Sequence, residues 1–310
     1  MQLSDFAPEF YRIVCDGQFE TPYLMIGELT DYNLLVFALD KQYFRRAYEN
    51  EHVSAIICNE GCIEDIEISN CQKGIAICSN PKYAFYSIHN WLARNELKYC
   101  GLTNRKTVVG ENTFIHETAI ISSTDVEIGA NCTIGANAII KRGVSIGDGT
   151  IIREGAIIGI NNLMDCKDDK GNLLHIDSAG TVKVGDNCVI GNYVTIARGW
   201  MPGGITEIGN HVFLGAKVLI GHDVKLGNNC DIKDNTQVAG YTEIGEDTNI
   251  AVQCVISNKL KIGKNVNIVI GSVVVANVPD GSEVAGNFAI DKKKFLLWHL
   301  RKLSVGKKSS

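Results

Sequence analysis

From about residue 108 to residue 279 the sequence repeats every six residues, and few architectures can use that period. Aliphatic residues stand at Ile128, Ile134, Ile140, Ile146, Ile152 and Ile158, and a second run begins at Val184, Ile190 and Ile196. It continues through Ile208, Leu214, Ile220, Leu226, Ile232, Val238, Ile244, Ile250, Ile256, Ile262 and Ile268 to Val274, and only Pro202 fails the pattern. A helix repeats about every 3.6 residues and a strand about every 2, so a period of six reads as short strand, turn, short strand. Three hexads make one triangular coil of a parallel β-helix. Each aliphatic then faces a narrow axial core, and the glycine that often follows it suits a turn where a side chain would crowd. Cys132, Cys188, Cys230 and Cys254, each four places after an aliphatic, read as core filler. Coils stack at about 4.8 Å, so residues three hexads apart in sequence sit one above another.

Two interruptions break the pattern. Residues 159–183 shift the frame and are expected to form a loop projecting from the β-helix, whereas residues 197–207 disturb the pattern but keep it in phase. The second stretch is compatible with an ordinary bulged coil. The flanks differ in kind from the repeat. Residues 1–103 read as a small α/β domain, with a strand at Val53 to Cys58 and a helix at roughly Lys82 to Leu97. Residues 104–285 form the β-helix, and residues 286–310 a short C-terminal helix, around Asp291 to Leu303, followed by a polar tail. The expected class is therefore mainly β: a left-handed parallel β-helix of hexapeptide repeats carrying a small N-terminal α/β domain and a short C-terminal helix.

Composition narrows the function. With 45% hydrophobic and 21% charged residues the chain reads as soluble and globular. Its net charge of −5 argues against nucleic acid as a partner. The first residues show no basic stretch ahead of an apolar run, and no apolar run is long enough to span a bilayer, so a cytoplasmic location is expected. The eleven cysteines are scattered and read as reduced.

Among the seven histidines, His222 stands apart. It follows the inward Ile220 by two places, which turns its ring to the outer surface of the coil. Gly240 lies three hexads on, in register one coil later, where its N–H can face the same cleft. An imidazole beside a free N–H suits acyl transfer. The imidazole takes the proton of an attacking amine, and the N–H stabilises the oxyanion formed when a thioester carbonyl is attacked. A zinc centre would need about three converging histidines, and the other candidate, His211, lies on a different face. No metal is expected.

The ordered set of segments resembles the UDP-3-O-acylglucosamine N-acyltransferase family of lipid A synthesis over almost the whole chain. The carrying segments are Leu34 to Tyr43, Val53 to Ile57, Asn80 to Phe85, Gly171 to Gly180, Val182 to Asp186, Thr195 to Gly199 and Ile220 to Val224. The resemblance implies that Phe37 and Tyr43 sandwich a uracil, with Asp40 standing where the family has asparagine. It also implies that His222 is the base and Gly240 the oxyanion donor. Asp223 replaces an asparagine beside the base, and Lys259 replaces a second histidine near the acyl-donor site. A homotrimer with clefts between subunits is implied, as is an acyl chain delivered on acyl carrier protein to the amine of a UDP-amino sugar. No permanently bound cofactor is expected, since the donor is a phosphopantetheine thioester. Lys292, Lys293, Lys294, Arg301, Lys302, Lys307 and Lys308 offer a basic surface to the acidic carrier protein. Two other readings stay open. One is transfer from acetyl- or acyl-coenzyme A to the amine or hydroxyl of a nucleotide sugar, and the other is a non-catalytic β-helix that binds a sugar nucleotide.

Overall fold

A computed structural model describes residues 1–6, 9–23, 33–64, 71–286, 291–294 and 296–297. The N-terminal part builds a five-stranded sheet from β1 (Arg12–Cys15), β2 (Thr21–Pro22), β3 (Leu34–Ala38), β4 (Val53–Cys58) and β5 (Gly74–Ile77), in the order β1-β5-β4-β3-β2. Only β1 runs antiparallel to its neighbour. Side chains alternate across a strand, so β3 serves two cores. Leu34, Val36 and Ala38 pack with Phe44 and Ala47 of α1 (Lys41–Glu49), while Leu35 packs with Phe85, Ile88 and Leu92 of α2 (Pro81–Asn95). Both helices begin on a capping side chain that takes the amide three places on, Asp40 for α1 and Asn80 for α2. The expected strand at 53–58 is found as read. The expected helix ends at Asn95 rather than Leu97, because the chain tightens into a 3₁₀ turn at Leu97–Cys100 closed by the left-handed Gly101.

The repeat forms a left-handed parallel β-helix of three sheets with nine, eight and eight strands. Register is set by the coil length: Leu219 and Ile220 pair with Gln237 and Val238, three hexads on. The inward aliphatics and all four expected cysteines are buried in one axial core. Where glycine follows the aliphatic it is required for space. A Cβ on Gly209 would meet the Gly227 carbonyl carbon at 2.7 Å, and one on Gly221 the Gly240 amide nitrogen at 2.7 Å. The left-handed backbone lies two places further on, at Asn131, Asn187, Asp223 and Asn229 among others, where short polar side chains tolerate positive φ.

The interruptions follow from arithmetic on this coil. Ile146 pairs with Val184, a separation that is not a whole number of hexads, so the frame shifts. Ile196 pairs with Ile220, four hexads on instead of three, and the whole extra hexad preserves phase. Pro202 therefore misses the core because it belongs to an inserted loop. The first interruption does project from the β-helix, as an antiparallel hairpin of Met164–Lys167 and Leu173–Ile176. It docks on α2 instead of standing in solvent. Cys166 and Ile176 are buried in the same cluster as Phe85 and Ile88, joined there by Trp200 and Met201 of the second interruption. The side chain of Asn90 donates to the His175 carbonyl at 2.7 Å and accepts from the Asp177 amide at 2.9 Å. The guanidinium of Arg94 reaches the Asp177 carboxylate at 2.6 Å. At the tip, Ser79 donates to Asp169 and Asn80 to the Lys167 carbonyl.

His89 closes this seam. Its Nε2 lies 2.7 Å from the Asp177 carbonyl and its Nδ1 2.7 Å from the Tyr99 hydroxyl. A carbonyl only accepts, so Nε2–H donates to it and Nδ1 accepts from the tyrosine, the neutral imidazole. Burial pushes the His89 pKa below its ordinary value, against the weaker opposing pull of Asp177. The folded state therefore binds fewer protons than the unfolded one as pH falls below the unfolded value of about 6.5. The stabilisation is complete above that pH and is lost as pH falls through the lower folded pKa. A thermal melting series from pH 7.5 to 5 is expected to decline less steeply for His89→Gln than for the parent chain, and equal slopes would refute this account.

Of the expected C-terminal helix, residues 292–294, 296 and 297 are helical, and the remainder, with Arg301, Lys302, Lys307 and Lys308, lies outside the described residues. Among the described residues no helix is long and apolar enough to cross a membrane.

Candidate active site

His222 leaves the strand Leu219–Ile220 at a corner, and the next residue bends back beside it. Consecutive side chains normally diverge, but Asp223 has φ 56°, and this brings its Oδ2 to 2.9 Å from His222 Nδ1. The carboxylate is fixed from two sides. Its Oδ2 also accepts the backbone N–H of Trp200 at 2.9 Å, and the Asp223 amide donates to Thr206 Oγ1 at 2.8 Å. Both side chains are largely buried, 13% and 11% exposed, so the pair is shielded from most competing water. A carboxylate can only accept, which assigns a proton to Nδ1; in the neutral ring Nε2 is then the lone-pair acceptor.

Two rings grip the imidazole edgewise. Trp200 lies 5.6 Å away at 71° and Tyr241 4.9 Å away at 87°, both within the range of edge-to-face packing. Tyr241 stands one coil above Asp223, and its amide donates to the His222 carbonyl at 2.9 Å. Gly240 supplies the floor. A Cβ there would approach His222 Cδ2 and Cε1 to 2.7 Å and press on Nε2, so only glycine leaves room for the ring.

The Gly240 amide accounts for its own availability. At several corners the equivalent N–H is capped by an Asp or Asn from the coil above, as Ala130 is by Asp148, Asp186 by Asn210 and Ala216 by Asp234. Above Gly240 stands Asn258, whose Oδ1 pairs with the Ser257 hydroxyl instead. Among the described residues the Gly240 N–H has no protein acceptor. Lys259 completes this side, exposed, with its amide on the Gly240 carbonyl at 3.0 Å and its ammonium 5.9 Å from the Tyr241 ring.

The structure thus brings His222, Asp223, Gly240 and Lys259 together. The other three expected residues lie near the carboxyl end of β3, Phe37 in the cluster on the α2 face of the sheet and Tyr43 in the cluster on the α1 face. Phe37 is half-buried against Phe85 at 5.2 Å and Tyr86 at 6.2 Å. Asp40 is exposed and spends Oδ1 on the Tyr43 amide, 2.7 Å away. Tyr43 is half-buried on the α1 face of the sheet, and burial raises its phenol pKa. The two groups are linked by rings the sequence reading did not single out: Phe37 abuts Tyr86, Tyr86 stacks on Trp200 at 6.0 Å and 17°, and Trp200 abuts His222. The available signal for Trp200 was the in-phase interruption itself, a full extra hexad carrying a large aromatic. A cavity of about 1390 Å³ lies apart from these residues, between α2 and the segment from Met1 to Thr21, with Phe6, Trp91, Leu174 and Pro202 on its wall.

No curated protein is matched by this chain. Among solved structures, similar ones include the UDP-N-acetylglucosamine acyltransferase of Bacteroides fragilis, 28% identical over 58% of this chain and 71% of that chain, with a TM-score of 0.40. The enzyme of that name from Francisella novicida is 25% identical over 58% and 67% of the two chains, with a TM-score of 0.38. The one from Arabidopsis is 24% identical over 58% and 68%, with a TM-score of 0.43. In sequence, residues 125–159 and 205–240, the second stretch carrying His222 and ending on Gly240, match the family model described as bacterial transferase hexapeptide (six repeats).

Proposed function

We propose that this chain is an acyltransferase that moves an acyl group from a phosphopantetheine thioester to the amino group of a UDP-linked amino sugar. The observation that carries the reading is His222 Nδ1 at 2.9 Å from Asp223 Oδ2, with Nε2 left free beside Gly240. The amine attacks the thioester carbonyl as Nε2 takes its proton, and Asp223 stabilises the imidazolium that results. The oxyanion that forms accepts from the Gly240 N–H. Collapse expels the thiolate, which recovers the proton from Nε2 and leaves an amide and a free phosphopantetheine thiol. No protein nucleophile is consumed.

Phe37, Asp40 and Tyr43 are the proposed uracil site, at the carboxyl end of parallel strands where open α/β sheets bind ligands. With Oδ1 of Asp40 engaged on α1, Oδ2 is the oxygen left to accept from the uracil imide N–H. The proposed homotrimer fits the contrast between the outer faces. One carries the ladder of Glu127, Lys183, Glu207, Lys225, Glu243 and Lys261, with ion pairs such as Lys183–Glu207 at 3.3 Å. The other two expose Phe213, Leu219, Val255 and Val273, which burial between copies would remove from water. The exposed Lys292, Lys293 and Lys294 suit an acidic carrier protein in the cytosol.

A second reading is favoured by Asp223 itself. A carboxylate behind the imidazole suits a hydroxyl acceptor, which must lose its proton as it attacks, and so leaves O-acylation from coenzyme A in play. Offering UDP-amino sugars and UDP-sugars with acyl carrier protein and coenzyme A thioesters of several chain lengths separates the two. Mass spectrometry is expected to find an alkali-stable amide. An alkali-labile ester would move the assignment to the second reading, and nucleotide-sugar binding without product would leave only a binding protein.

A further inference from the structure

We propose that Trp200 is a positioning residue for His222 and Asp223, a role that rests on the reading of His222 as the base. The inserted hexad that carries it adds no strand to the coil, yet Trp200 is 9% exposed and Met201 3%. The insertion is therefore folded inward onto the site and α2. Trp200 touches both members of the pair by different parts of itself. Its backbone N–H is bonded to the same Asp223 Oδ2 that receives His222 Nδ1, and its indole packs edge-to-face on the imidazole. On its other side the indole stacks on Tyr86 of α2. The ring is thus a spacer between a rigid helix and the imidazole, and with Tyr241 opposite it leaves His222 one orientation.

The indole N–H supports this assignment. Trp200 Nε1 is buried and has no hydrogen-bond partner among the described residues. A buried donor left unbonded is costly, so the ring's orientation is dictated by Tyr86 and His222 and not by its own N–H. What the site uses is the width and flatness of the indole.

The test separates ring from backbone, because every substitution except proline retains the amide bonded to Asp223. In ¹⁵N-histidine NMR spectra of the full chain, His222 is expected to show the Nδ1–H tautomer in the parent and in Trp200→Phe, and a mixture of tautomers in Trp200→Ala. Tyr86→Leu, which withdraws the support behind the indole, should shift the same resonance in the same direction, and it serves if Trp200→Ala does not fold. In the transfer assay Trp200→Ala is expected to lose about 10² in kcat, as misplaced catalytic groups do, with KM little changed and Trp200→Phe recovering most of the loss. An unchanged tautomer in both Trp200→Ala and Tyr86→Leu would overturn the proposal. So would a phenylalanine variant as damaged as the alanine one, since that would assign the role to the Nε1 proton. If the tautomer responds as expected while no donor and acceptor pair gives product, the acyltransferase reading fails and the positioning role stands.

Discussion

Replacing His222 with alanine is expected to lower acyl transfer by about 10² to 10⁴, the usual contribution of a positioned general base. The fold should survive with a modest fall in the thermal midpoint, because the ring leaves a space between Trp200 and Tyr241 while the axial core of Ile220, Val238 and their neighbours is untouched. Asp223→Ala should fall in the same direction with a smaller loss: the imidazole keeps its place between Trp200 and Tyr241 but loses the acceptor that holds the proton on Nδ1. Single-turnover rates with the preferred thioester measure both. Turnover of His222→Ala within threefold of the parent would remove the histidine from the mechanism.

Gly240→Ala is expected to cost about 10² to 10³ in rate, comparable with the loss of an oxyanion donor, while the β-helix stays intact. Gly240 has no positive φ, so alanine can adopt its backbone; what the methyl meets is the imidazole itself. The ring must leave its position over the corner and carries Nε2 with it. Gly221→Ala provides the contrast. Its methyl would meet the Gly240 amide nitrogen, which is backbone and cannot swing aside, so the damage goes into the coil and should appear as a loss of about 1 to 3 kcal/mol in stability. A Gly240→Ala protein that is inactive because it is unfolded would contradict the distinction.

The β-helix was legible in the sequence because the hexads repeat the same local solution: an aliphatic inward, often a glycine where the next coil presses, a small residue to fill the axis. The pair His222 and Gly240 was legible for the same reason, since the coil length alone puts them together. Asp223 was harder. Neighbouring residues ordinarily point apart, and only its left-handed backbone turns the substitution of aspartate for asparagine into a carboxylate bonded to the base. The in-phase insertion marked Trp200 as out of the ordinary, but not its role, because its ring direction depends on Tyr86, which lies in the N-terminal domain. The docking of the hairpin was hidden likewise, resting on contacts between distant segments such as Asn90 with His175. Asp40 shows a different limit. A resemblance assigns it to a ligand, whereas an aspartate just ahead of a helical run equally announces a helix cap, and one of its oxygens is taken by the Tyr43 amide.

The stacked coils also act as a ruler with fixed graduations. Removing or adding one complete coil between Val224 and the C-terminal end would leave His222 and its partners where they are only if the two coils carrying Gly240 and Tyr241, and then Lys259, survived. The same change made between Ile128 and Ile158 would keep His222, Asp223, Gly240 and Lys259 together but slide them by about 4.8 Å relative to the first coil, against the contacts of Tyr86 with Trp200 and of Asn90 with His175. Separation along such a chain therefore changes in steps, while the local chemistry at each step is preserved. Here the N-terminal domain spans several graduations through Trp200 and the hairpin, so lengthening the reach requires those contacts to be rebuilt with it.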